Sequence, residues 1–209
     1  AMLTGNLGKP NVGVNPVRGQ NNVQGACDMG ALFNTLPGYQ SFADPETNAK
    51  FAKAWGVPSI PTKPGVPLSE VPEAIMEDKI KAFYIMGEDT LQTEPDINAV
   101  KKAFEKVELL IVQDIFMTQT AAEADILLPA TSCAEHEGVY SAADRGFQRF
   151  YKAVEPTGNV KDDWVIISEI ATAMGYPMHY NNTKEIWDEL RELCPLYKGA
   201  TYEKMEGMG

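Results

Sequence analysis

Residues Asn15-Pro16-Val17-Arg18-Gly19-Gln20-Asn21-Asn22-Val23-Gln24-Gly25-Ala26-Cys27-Asp28-Met29-Gly30 hold the densest potential chemistry in this chain. The stretch follows neither a helical nor a strand period, yet it concentrates amide side chains, glycines and one arginine. Glycines let backbone amides approach a ligand, and Asn and Gln offer paired donors and acceptors. Arg18 adds a permanent cation shaped for a carboxylate or phosphate. By composition alone, an arginine in such a Gly/Asn loop is more often a solvated or structural cation.

A second group of polar residues follows short apolar runs. Lys79-Ile80-Lys81-Ala82-Phe83-Tyr84-Ile85-Met86 reads as a buried strand ending in Gly87-Glu88-Asp89, with Thr93 placed to cap a helix over residues 94–106. Leu109-Leu110-Ile111-Val112 reads as a second strand ending in Gln113-Asp114. Thr120 and Glu123 have capping-box spacing for a short helix, and Asp125-Ile126-Leu127-Leu128 forms a third strand stopped by Pro129. Strand, helix, strand, helix, strand predicts a parallel sheet with right-handed crossovers. Ligands bind such sheets beyond the carboxyl ends of the strands, which here carry Asp89, Thr93, Gln113 and the Pro129-Ala130-Thr131-Ser132 turn. From spacing alone the same residues serve equally as caps and turns. Neither GxGxxG nor GxxxxGK[ST] is present, so neither a classical NAD fold nor a P-loop is supported.

Flanking elements complete the expected layout. Asp44 and Pro45 begin a helix to Trp55, and the proline-rich segment 57–72 is expected to be loop. Helices are predicted over 163–174 and 182–193, the second with Glu185 in the reciprocal capping position, and the tail 204–209 is expected to fray. The fold class expected is α/β, a Rossmann-like parallel sheet flanked by helices, preceded by a long irregular N-terminal arm. The arm is assigned residues 1–40 and the domain residues 41–209.

The string around Val17-Arg18-Gly19-Gln20 closely resembles molybdenum- or tungsten-dependent formate dehydrogenases of the bis-molybdopterin guanine dinucleotide oxidoreductase family. The resemblance covers nearly the whole chain and is strongest over 14–31, 84–93, 109–120 and 135–180. It implies an internal part of a catalytic (alpha) subunit that holds one guanine dinucleotide arm, with cofactor contacts at Gln20, Asp89, Thr93, Gln113 and Asp163. Arg18 then corresponds to the arginine that orients formate, and Asn21, Asn22 and Gln24 to supporting donors. Asp163 suits guanine because a carboxylate accepts from N1–H and N2–H together, although its position before Trp164 also suits a helix cap. Thr90 stands where relatives often carry Pro, and Ala130 where some carry Ser, which removes a hydroxyl contact. The resemblance further implies a [4Fe-4S] cluster whose ligands lie outside this chain, formate as substrate, and the remaining domains and electron-transfer subunits as partners. Two alternatives stay open: a non-catalytic scaffold of a related respiratory-complex subunit, and an oxidoreductase for another small oxyanion.

Composition narrows the field. With 209 residues, 44% hydrophobic content and a net charge of -11, the chain is ordinary for a globular domain and repels polyphosphate backbones. Asp144-Arg145-Gly146-Phe147-Gln148-Arg149-Phe150-Tyr151-Lys152 therefore reads as a folded strand rather than a nucleic-acid site. No apolar run approaches the roughly 20 residues of a membrane span. The start lacks a signal-peptide layout and reads like a cut through a longer protein, so the compartment is not legible from it. Cys27, Cys133 and Cys194 form no CxxC pair, and His136 in Glu135-His136-Glu137 has neighbours that point away from it, so neither forms a metal motif.

Overall fold

The computed structural model describes residues 2–14, 17–142 and 146–207. Asn15 and Pro16 of the arginine-bearing stretch, and Asp144 and Arg145 of the basic and aromatic one, lie outside the described residues. In chain order the elements are α1 (Val23–Asp28), α2 (Pro45–Ala54), α3 (Val71–Met76), β1 (Ala82–Met86), α4 (Thr90–Thr93), α5 (Ile97–Lys106) and β2 (Leu109–Asp114). They continue with α6 (Gln119–Ala122), β3 (Ile126–Pro129), β4 (Gly138–Ser141), β5 (Phe147–Phe150), α7 (Asp163–Ala173), α8 (Thr183–Leu193) and α9 (Tyr202–Met205).

Two compact units emerge, one of Ala1–Ile60, Val139–Phe150 and Leu190–Gly209, the other of Pro61–Gly138 and Tyr151–Glu189. The second contains the parallel sheet β1-β2-β3, with Phe83 opposite Leu110, Ile85 opposite Val112, and Val112 opposite Leu127. Because strand side chains alternate, these residues share one face. There Ile85, Leu110 and Val112 pack with Ala121 into a core edged by Phe83, Phe104 and Leu127. Full burial of each such aliphatic side chain is worth about 1.5–3 kcal/mol, which fixes the register of the sheet. The opposite face carries Tyr84, Met86, Ile111, Gln113 and Leu128. A parallel bridge between Ala130 and Lys161 extends the sheet and delivers the chain into α7.

Several boundaries differ from the sequence reading, each for a local reason. Pro72 does not keep 57–72 entirely loop: it occupies the first turn of α3, where a missing N–H costs nothing, and Val71, Ala74 and Ile75 are buried. Thr93 ends α4 rather than capping the next helix. Glu94, before Pro95, is extended, and Asp96 caps α5 by accepting from Ala99 N–H at 3.0 Å. Thr118, not Thr120, caps α6, accepting from Ala121 N–H at 3.0 Å. The helix starts read at Asp44 and Asn182 are found: Asp44 accepts from Thr47 N–H, and Asn182 Oδ1 from Glu185 N–H at 3.1 Å. Glu185 reaches back one residue further than the capping box predicts, to Asn181 N–H at 2.8 Å.

In the other unit the arm is less irregular than expected, since α1 forms within it. Asn22 precedes α1 in a left-handed conformation (φ 57°), and its Oδ1 accepts from Ser141 N–H at 3.0 Å. A Cβ on Gly25 would sit 2.3 Å from that oxygen. Alanine at a helical glycine ordinarily gains about 1 kcal/mol, whereas losing a buried hydrogen bond costs about 1–3 kcal/mol. Gly25→Ala is therefore expected to lower stability, by up to about 2 kcal/mol in denaturant unfolding. A stability gain would show that Asn22 moves aside without loss.

Phe147 in β5 meets the Tyr197 ring edge-on at 5.0 Å, and the Arg149 guanidinium lies 3.7 Å from the centre of the Tyr202 ring. This segment is the folded strand that the sequence predicted. Tyr202 and Met205 are buried, so the tail is anchored to residue 205 rather than frayed from 204. Cys27 and Cys194 are buried, Cys133 is exposed, and all are free thiols. Among the described residues no helix is long and apolar enough to cross a membrane.

Candidate functional site

Asp163 is the first residue of α7, and its place follows from the Ala130–Lys161 bridge, which carries the chain past the carboxyl end of β3. Gln113, near the end of β2, is 1% exposed and donates through Nε2 to Asp163 Oδ1. The hydroxyl of Tyr84 in β1 donates to Gln113 Oε1. Among the described residues the second oxygen of Asp163 has no partner, and the N-terminus of an eleven-residue helix favours its charge. Asp162 turns its carboxylate the other way, accepting from Thr131 Oγ1 at 3.0 Å, so it does not compete for the same space. The structure thus brings Gln113 and Asp163 together. Gln113 lies beneath Asp163 as its support, with no exposed surface of its own to offer a ligand.

Asp89 follows β1, and its Oδ1 accepts both Thr120 N–H at 3.0 Å and Thr120 Oγ1 at 2.6 Å. These bonds hold its carboxyl below the ordinary carboxylate range and tie the β1 loop to α6. Thr120, read as a helix cap, is instead this tie. Thr93 is exposed, and its hydroxyl donates to Glu88 and toward the Asp89 carbonyl at 3.2 Å. Asp89 and Thr93 therefore bracket the short helix α4, and each keeps acceptor capacity.

Arg18 and Gln20 belong to the other unit, and both are exposed. Arg18 Nη2 donates to Gln24 Oε1 at 3.4 Å, while Gln24 Nε2 donates to Asp28 Oδ1 at 2.7 Å and Tyr39 Oη at 3.2 Å. Asp28 is 8% exposed, and its carbonyl accepts from the buried Tyr197 hydroxyl at 3.1 Å. An ionised carboxylate only accepts, so Asp28 dictates which end of the Gln24 amide faces it. The carbonyl end is left facing Arg18. Gln24, Asp28 and Tyr39 line a cleft of about 500 Å³ together with Phe147, Leu196 and Tyr197. Partial burial and the Asp28 charge both push the Tyr39 phenol above its ordinary range. Among the described residues Gln20 has no hydrogen-bond partner, Asn22 Oδ1 accepts from Ser141 N–H, and Gln24 bridges Arg18 to Asp28 and Tyr39.

The sequence reading missed Tyr84, Asp28 and Thr120. Strand parity puts Tyr84 on the same face as Gln113, a lone amide in an apolar strand. Asp28 lies four residues after Gln24, a spacing that becomes informative once Val23–Asp28 is a helix. No comparable signal marks Thr120.

The geometry is that of polar groups gathered beyond the carboxyl ends of a parallel sheet, plus a separate arginine-bearing arm. The family model described as molybdopterin oxidoreductase matches residues 1–173. The chain belongs to the molybdopterin oxidoreductase family. It is 68% identical to formate dehydrogenase H of Escherichia coli over 209 residues, all of this chain and 29% of that relative. To the F420-dependent formate dehydrogenase 1 subunit alpha of Methanococcus maripaludis it is 45% identical, over 98% of this chain and 30% of the relative. To the probable oxidoreductase YjgC of Bacillus subtilis it is 42% identical, over 99% of this chain and 21% of the relative. The chain thus spans less than a third of the length of these molybdopterin oxidoreductase family relatives. Among the described residues no group of three or more His, Cys, Asp or Glu side chains could hold a metal ion.

Proposed function

We propose that this chain is the part of a formate dehydrogenase catalytic subunit that holds one guanine dinucleotide arm of a bis-molybdopterin cofactor and supplies the arginine that orients formate. The observation that carries the reading is the 68% identity with formate dehydrogenase H along the entire chain. The donor set fits the cofactor: Asp163 presents an unused carboxylate oxygen beyond the strand ends, held from behind by Gln113. That arrangement accepts from the N1–H and N2–H edge of guanine. Asp89 and Thr93 are assigned to the sugar and phosphate side of the same arm, and Gln20 to the pterin. Ala130 offers only backbone where a serine hydroxyl would add a contact.

When bound beside Asp163, Asp89, Thr93 and Gln20, the cofactor, with molybdenum or tungsten, would supply two-electron redox chemistry, and the ligands of a [4Fe-4S] cluster would lie outside this chain. Arg18 attracts the formate carboxylate and fixes its orientation through a planar pair of donors. Gln24, set by Asp28, aligns the guanidinium from its other side. Formate, the remaining domains of the subunit and electron-transfer subunits are the partners.

The test is purification of the full-length enzyme and of the 209-residue chain in parallel, with metal, iron and dye-coupled formate oxidation measured on each. Activity in the full-length enzyme and none in the chain is expected. Turnover by the chain alone would overturn the assignment. A full-length protein without pterin would favour a scaffold, and turnover of another oxyanion in place of formate would favour a different oxidoreductase.

A further inference from the structure

Tyr84, Gln113 and Asp163 form a chain of hydrogen bonds with a fixed direction. Asp163, as a carboxylate, can only accept, so the NH₂ end of Gln113 must face it. The Gln113 carbonyl then faces Tyr84, and the phenol must be the donor. Gln113 is 1% exposed, so water cannot replace a lost partner. Reversing the amide would press its oxygen against the Asp163 carboxylate. Burial, followed by the charge of Asp163, pushes the Tyr84 phenol above its ordinary range, so the donor keeps its proton.

We propose that Tyr84 is a positioning residue for the base of the bound nucleotide, locking the Gln113 amide so that Asp163 meets a 2-aminopurine edge with both oxygens. The inference rests on the reading of Asp163 as the guanine contact and adds how that contact is made selective. Guanine offers N1–H and N2–H to a carboxylate, hypoxanthine offers only N1–H, and adenine has no N1–H. A carboxylate held square to the base gains from the second donor; one free to swing does not.

Among the described residues Tyr84 is the partner that fixes the Gln113 side-chain oxygen. Tyr84→Phe removes one oxygen from a side chain that is 38% exposed, leaving the ring to pack as before. The Gln113 side-chain oxygen then loses its donor, the amide is no longer held in one plane, and Asp163 Oδ1 loses its fixed support.

The experiment is calorimetric titration of the 209-residue chain, wild type and Tyr84→Phe, with GDP, IDP and ADP, alongside circular dichroism and thermal melting. The wild type is expected to prefer GDP over IDP by about tenfold or more, the worth of one charge-assisted hydrogen bond. Tyr84→Phe is expected to bring that preference to within about threefold while IDP binding is nearly kept. Gln113→Met should have the same effect, and the double variant should add nothing further, because both break one chain of bonds. A wild type that fails to prefer GDP over IDP and ADP would overturn the guanine reading itself. A wild-type preference that survives Tyr84→Phe would overturn the role of Tyr84 and leave the guanine reading intact. Equal weakening of GDP and IDP would also overturn it, by showing a structural part alone.

Discussion

Asp163→Ala in the full-length enzyme is expected to give folded protein that retains little of its pterin cofactor. Two charge-assisted hydrogen bonds to the guanine edge are worth about 1.5–3 kcal/mol each, so their joint loss weakens that arm by about a hundredfold or more. The same change removes the partner of the buried Gln113 amide, at a stability cost of about 1–3 kcal/mol. Loss of cofactor and loss of stability would then coincide, so Asp163→Asn is the sharper variant. Its amide oxygen can still accept from Gln113 Nε2, which preserves the support. Its NH₂ group is then turned toward the base, donor against donor. Asp163→Asn should therefore melt close to the wild type yet lose pterin nearly as fully as Asp163→Ala. Pterin fluorescence and released guanine nucleotide per subunit measure this directly. Full cofactor content in the Asn variant would reduce Asp163 to a support for the start of α7.

How the sequence encodes the candidate residues differs between the two units. The parallel sheet was legible because its strands are short apolar runs between turn residues, and the register follows from which face must be dry. Gln113 was legible as a strand-end polar residue and Asp163 through the family resemblance, but their mutual bond was not, because it joins positions 50 apart along the chain. Nor did the sequence show that Gln113 is fully buried, since a polar residue at a strand end looks exposed until the packing around it is known. In the arm, glycine and asparagine content concealed α1. Its start has no side-chain cap, and Asn22 enters through a left-handed turn. Once α1 exists, Gln24 and Asp28 fall on one face and the alignment of Arg18 becomes readable. Helix boundaries at Asp96 and Thr118 were displaced by a few residues because several Thr and Asp side chains competed for each cap. The winner was settled by tertiary bonds such as Asp89 to Thr120.

Arg18 carries the second large effect. Arg18→Ala in the full-length enzyme is expected to lower kcat/KM for formate by about a hundredfold, the cost of losing the group that positions a bound substrate. Metal and pterin content should stay near wild type, because Arg18 is exposed in its own unit and its described bond runs only to Gln24. Arg18→Lys restores the charge but not the planar fork. It should recover part of KM while kcat stays low, since a point charge attracts a carboxylate without fixing its orientation. Asp28→Asn gives an internal control: it frees the Gln24 amide to turn, so the Arg18 guanidinium loses a fixed acceptor while its charge remains. The loss in kcat/KM should then be smaller than for Arg18→Ala and should nearly vanish when added to it, because both act through the same guanidinium. A fully loaded Arg18→Ala enzyme with wild-type formate kinetics would remove Arg18 from the reaction, and the arm would then serve cofactor packing alone.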